Sequence, residues 1–172
     1  RGRTLLAFKA DRIYAAEITP FKTTPSVAVI GGGTALNTVN FSSDFCLVSE
    51  LSAAPIVETV AELGDGLAYL SRDGFIYRLT GGTKSYTAER LCEARYSGSD
   101  FAVAFGGRYI CFHGINATVV EMVGGRPSVG CWSFPTNLTG GFSHGGSPIL
   151  FSWLRAGGVS ILYMLRFGLG ED

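Results

Sequence analysis

Short apolar runs separated by turn-forming residues recur along the chain. Thr4-Leu5-Leu6-Ala7-Phe8 and residues 12–18 flank Lys9-Ala10-Asp11. Residues 67–70 and 75–79 flank Ser71-Arg72-Asp73-Gly74, and the Asp-Gly step there is the strongest hairpin signal in the sequence. Residues 101–105 and 109–112 flank Gly106-Gly107-Arg108, and residues 149–154 and 159–167 flank a turn at Arg155-Ala156-Gly157-Gly158. Phe75, Tyr77 and Leu79 alternate with Ile76, Arg78 and Thr80, the period of a strand with one buried face. Further strands are predicted at 26–30, 45–48, 118–123 and 129–134.

One segment departs from this rhythm. In residues 52–64, Ile56, Val57, Val60, Ala61 and Leu63 fall near helical spacing, Pro55 suits a first turn and Gly64 a C-terminal cap, so a short helix is predicted. Residues 87–95 are a second place for one or two helical turns. Together these elements predict a single all-β domain over residues 1–172, an antiparallel β-sandwich built of hairpins with one short helix. Residues 67–82 look like strands of a propeller blade. The hairpins open at uneven intervals, however, so an irregular β-propeller-like fragment is the alternative rather than the first expectation.

Composition agrees with a β fold and removes several classes. Glycine contributes 24 of 172 residues, charged residues are only 16 %, and mean hydropathy is +0.27. Such a chain buries a core rather than staying disordered. Fourteen basic and 14 acidic residues give zero net charge, without the basic footprint of a general nucleic-acid binder. Residues 148–165 approach the length of a membrane span, but Arg155 at their centre opposes insertion and the Gly-Gly turn marks a buried hairpin. No membrane span is expected.

The cysteines, Cys46, Cys92, Cys111 and Cys131, show no C-x2-C spacing, so a zinc or redox motif is not indicated. Of the four asparagines, Asn40, Asn116 and Asn137 open N-x-S/T acceptor sequences. Chance places fewer than one such sequence on four asparagines at this serine and threonine content. The chain is therefore read as a glycosylated protein of the secretory pathway, where disulfides are the default. Cys46–Cys92 with Cys111–Cys131 is the favoured connectivity. Arg1-Gly2-Arg3 offers neither an initiator Met nor a signal-peptide pattern, so a mature chain or an excised piece of a larger surface glycoprotein is expected.

Catalytic patterns are few. Gly141-Phe142-Ser143-His144-Gly145 matches G-x-S-x-G, but Pro135 interrupts the residues before it, Pro148 follows, and no histidine comes after His144. His113, Glu121 and Ser143 satisfy only the order of a chymotrypsin-like triad. His113 reads instead as a hydrogen-bonded structural histidine and His144 as a loop residue. Gly31-Gly32-Gly33 lacks the spacing of a phosphate loop. No cofactor or metal is expected.

Recognition is the better account. Eleven arginines against three lysines, with seven tyrosines, favour residue types enriched in binding hot spots. Residues 43–115 contain no glycan acceptor, and within them Arg72, Arg78, Tyr86, Arg95, Tyr96 and Arg108 form the candidate binding set, with Arg72 and Arg108 at hairpin tips. The expectation is a non-enzymatic domain of a secreted, cell-surface or virion-surface glycoprotein, binding a protein receptor or a surface glycan. Two competing expectations remain: a serine hydrolase using Ser143 and His144, and an assembly module that packs on other subunits through the hairpin from Ile149 to Phe167.

Overall fold

The computed structural model describes residues 4–9, 12–17, 46–50, 55–82, 85–95, 97–98, 100–144, 147–156 and 159–166. The predicted strand at 26–30, Asn40 and Tyr96 lie outside the described residues. Among the described residues, fourteen strands form four antiparallel sheets, each a meander of strands consecutive in sequence. Sheet 1 holds β1 (Thr4–Phe8), β2 (Arg12–Glu17) and β3 (Cys46–Glu50). Sheet 2 holds β4 (Ala61–Leu63), β5 (Gly66–Leu70), β6 (Phe75–Gly82) and β7 (Ser85–Glu93). Sheet 3 holds β8 (Phe101–Phe105), β9 (Arg108–His113), β10 (Asn116–Val123) and β11 (Arg126–Ser133). Sheet 4 holds β12 (Gly140–His144), β13 (Ser147–Ala156) and β14 (Val159–Arg166).

The all-β, hairpin-built class is as expected. The sheets pack face to face in series, and three apolar clusters fill the three gaps between them. Ile13 meets Tyr69 and Leu79 between sheets 1 and 2. Leu63, Ala68, Leu70 and Ile76 meet Tyr109, Cys111 and Val120 between sheets 2 and 3. Phe101, Val103, Ile110, Phe112, Ala117 and Val119 meet Leu138 and Leu150 between sheets 3 and 4. The middle sheets are thus covered on both faces. On β9, Tyr109 and Cys111 point to sheet 2 while Ile110 and Phe112 point to sheet 4, so four successive residues are buried. A strand buried on both sides reads as a continuous apolar run. Burial of each large aromatic removes on the order of 150–250 Å² from water.

First strands lie beside first strands: β4 contacts β8 and β8 contacts β12, while the outer strands β7 and β11 meet at the far edge. Sheets 2, 3 and 4 thus gather their first strands on one side, and the four meanders stack as antiparallel hairpin sheets in more than two layers. Among the described residues the sheets form no closed barrel.

The expected helix within 52–64 is corrected. Its described part is a bridge at Pro55, a single 3-10 turn at Val57–Thr59 and strand β4. Tertiary hydrogen bonds override the helical spacing. Ile56 N donates to Leu70 O at 2.9 Å, and Leu70 N donates to Thr59 Oγ1 at 2.9 Å. Tyr109 Oη donates from sheet 3 to Thr59 O at 2.8 Å. The possible turns at 87–95 are likewise replaced, chiefly by β7, which pairs with β6 along its length around a bulge between Ile76 and Tyr77. The stretch with membrane-like hydropathy is the expected hairpin, β13 with β14. No helix among the described residues is long and apolar enough to cross a membrane.

Candidate recognition surface

The meander topology sorts the connections onto two rims. One, the hairpin rim, carries the β4–β5, β8–β9 and β10–β11 turns. Gly106-Gly107 and Gly124-Gly125 are two-residue turns with φ of 57° and 77°, and of 57° and 80°. Both positions of each turn lie in the left-handed region, where glycine alone is unstrained, as in a type I′ hairpin. The opposite connector rim carries the β5–β6 turn at 71–74, the β9–β10 turn at 114–115, and the sheet-to-sheet connections at 94–100 and 134–139.

The structure does not bring the candidate binding residues together. Arg72 and Arg95 are exposed on the connector rim. Arg72 lines an open groove of about 510 Å³ with Glu58, Asp100 and Thr139. Arg95 lines a second groove, of about 670 Å³, with Ser97, His113, Asn116 and Cys131. Arg78, Tyr86 and Arg108 belong to the hairpin rim. The Arg78 guanidinium pairs with Asp65 in the β4–β5 turn and is mostly buried, with its Nε lacking an acceptor among the described residues. Tyr86 is half-buried beside Asp65, Gly66 and Gly81. Arg108 Nε donates to Glu121 Oε2 at 2.9 Å, its direct cross-strand partner on β10, and both side chains are 40 % exposed. An exposed pair of this kind contributes about 0–1 kcal/mol and is readily exchanged for an outside partner.

The asparagines of both described N-x-S/T sequences lie on the connector rim. Asn116 opens β10 and Asn137 lies in the 134–139 connection, and both are exposed. The Asn116 acceptor sequence ends inside the fold, because Thr118 is buried and its hydroxyl lies 3.1 Å from His113 Nε2.

A polar network that the sequence did not single out ties this rim together. The Asp100 side chain is fully buried, and one of its oxygens lies 2.6 Å from His113 Nδ1. It also accepts from Ser97 N at 2.8 Å, Ser97 Oγ at 2.9 Å and Gly98 N at 3.0 Å. Burial alone raises the Asp100 carboxyl pKa. The hydrogen bonds from His113 and Ser97 outweigh it and hold the group below the usual carboxylate range. A ring protonated on Nδ1 donates to Asp100 and accepts from the Thr118 hydroxyl. His113 is thus the hydrogen-bonded structural histidine expected. The available sequence signal for Asp100 was its place after Ser97-Gly98, where a carboxylate turns the backbone back on itself.

Ser143 lies within β12, and its Oγ donates to Ala104 O of β8 at 2.5 Å. The G-x-S-x-G match is a strand rather than the sharp strand-to-helix turn that exposes a nucleophile. Its first glycine has a packing role: a Cβ at Gly141 would stand 2.7 Å from Leu150 and 3.1 Å from Phe101.

Among the described cysteines, Cys92, Cys111 and Cys131 are free thiols. The expected Cys111–Cys131 bridge is corrected by the register. Thr118 pairs with Cys111 on one side and Cys131 on the other. The two cysteines therefore stand two strands apart, about 9–10 Å, beyond the reach of a disulfide. The partner expected for Cys92, Cys46, begins β3, and its side chain lies outside the described residues.

No family model matches the chain, and no curated protein matches its sequence.

Proposed function

We propose that this chain is a non-enzymatic recognition module of a secreted or surface-exposed glycoprotein, and that it meets its partner, a protein receptor or a surface glycan, through the hairpin rim. The observation that carries the proposal is the division of the two rims. Asn116 and Asn137 share the connector rim, where Asn116 lines the same groove as Arg95, so a glycan there competes with any ligand of that groove. The hairpin rim carries Arg108 directly after the Gly106-Gly107 turn, with Arg78 on β6 and Tyr86 on β7 nearby, and the half-exposed Arg108–Glu121 pair leaves a charged donor near the surface. Val123, 60 % exposed at the end of β10, adds apolar surface beside the Gly124-Gly125 turn.

The experiment is binding of the secreted chain to a glycan array and to intact cell surfaces, with paired variants. Arg108→Ala with Tyr86→Ala is expected to remove the signal, and Arg72→Ala with Arg95→Ala to leave it. The opposite order would move the site to the connector rim and sink the proposal. The assembly reading keeps one observation in its favour: sheet 4 ends on β14, which has no strand partner beyond β13 among the described residues. Concentration-dependent dimerisation by light scattering would support it.

A further inference from the structure

We propose that Cys92 and Cys131 are a disulfide-forming pair that cross-links the outer strands of sheets 2 and 3. Cys92 lies opposite Ile76 in the β6–β7 register, and it packs with Ile76 against the cluster that fills the gap between these two sheets. Cys131 lies opposite Thr118, which lies opposite Cys111, and Cys111 belongs to that same cluster. Directly paired residues share a face of a sheet, so Cys131 is on the side of sheet 3 turned toward sheet 2. β7 and β11 touch at the outer edge, and Cys131 lines the connector-rim groove with Glu93 and Ala94, the two residues after Cys92. The two thiols therefore approach one another from facing strands.

The electrostatics agree with that proximity. Burial, followed by the influence of Cys131 itself, pushes the Cys92 thiol up to about 11. Cys111 is the competing partner, but it is fully buried, and burial pushes its thiol up to about 12. Of the described thiols Cys92, Cys111 and Cys131, only Cys131 is exposed to a dissolved oxidant.

The chemistry needs a low-molecular-weight disulfide such as glutathione disulfide. The Cys131 thiolate attacks one glutathione sulfur, forming a mixed disulfide and releasing one glutathione thiolate. Cys92 then gives up its proton and attacks the Cys131 sulfur, expelling the second glutathione. Two protein thiols are oxidised to one disulfide, and one glutathione disulfide is reduced to two glutathiones. The second step is the slower, because Cys92 holds its proton.

The cross-link closes the chain around β8, β9 and β10. It fixes the outer edge of the interface whose inner edge is held by β4 against β8. This inference stands apart from the recognition proposal, since the oxidation is carried out on purified, unglycosylated chain. The experiment is incubation of the full chain in a glutathione redox buffer, followed by non-reducing peptide mapping. The expected product is a linked peptide pair containing Cys92 and Cys131, formed equally in Cys111→Ser. The melting temperature should rise by on the order of 5–10 °C on oxidation, reversed by reduction. Cys131→Ser should abolish both the linked pair and the rise. Linkage of Cys92 to Cys46 or Cys111, or recovery of Cys92 and Cys131 as free thiols after oxidation, would overturn the assignment.

Discussion

The two rims are built from the same hairpins but held by different chemistry. The connector rim is tied by buried polar groups: Asp100 with four donors, His113 bridging to Thr118, and Thr59 receiving Tyr109 from the next sheet. The hairpin rim is held by glycine turns and by two ion pairs, a mostly buried Arg78 with exposed Asp65 and a half-exposed Arg108 with Glu121. Buried polar groups are costly to disturb, because each partner left behind is unsatisfied. Exposed pairs cost little to replace. The difference separates an end of the stack whose buried polar groups maintain the fold from an end whose surface groups can change at little cost.

Substitutions that empty the shared core should do the most damage and mark the scale for both rims. Phe112 is fully buried and stacks on Phe101 with ring centroids 4.7 Å apart. Phe112→Ala is expected to cost about 3–5 kcal/mol in denaturant unfolding. On the connector rim, Asp100→Asn should cost about 2–4 kcal/mol, since it removes the charge from a network built to hold it. If it costs no more than a surface change, the contrast between the rims fails.

The same group sets a pH signature. The folded-state pKa of Asp100 is depressed below its unfolded value. Its contribution to stability is therefore complete above the unfolded pKa, about 3.9, and is lost as pH falls through the depressed folded value. Acid unfolding of the parent should steepen below about pH 4, and Asp100→Asn should lack that component.

Smaller effects belong to the other rim. Gly107→Ala places a side chain at φ 77° and should cost about 1 kcal/mol. Arg108→Ala should change stability by no more than about 0.5 kcal/mol while weakening partner binding. A stability loss comparable to that of Asp100→Asn would make Arg108 a structural residue and blur the comparison.

Much of the fold was legible because hairpins announce themselves locally. Asp73-Gly74, Gly106-Gly107 and the alternation from Phe75 to Leu79 placed their strands near the right bounds. The number of layers was not legible. Burial on both faces erases alternation on β9 and much of β10, and uneven connections hid the regular meander. The 52–64 helix failed because its apolar spacing is local, whereas Thr59 and Ile56 are claimed by Leu70, and Tyr109 reaches Thr59 from another sheet. Residue type and distance in sequence from Asn116 and Asn137 do not reveal that Arg72 and Arg95 fold back to the rim of those asparagines. The Cys111–Cys131 pairing failed for a related reason. Cys111 and Cys131 are close in sequence but lie on strands separated by β10, while Cys92 arrives from the neighbouring sheet.

The central claim is that glycans occupy the connector rim and leave the hairpin rim open. Glycopeptide mapping of the chain secreted from eukaryotic cells, with and without glycosidase, tests it most directly. The account predicts occupied Asn116 and Asn137, each losing its added mass on glycosidase treatment. An unmodified chain, secreted and folded, would contradict it.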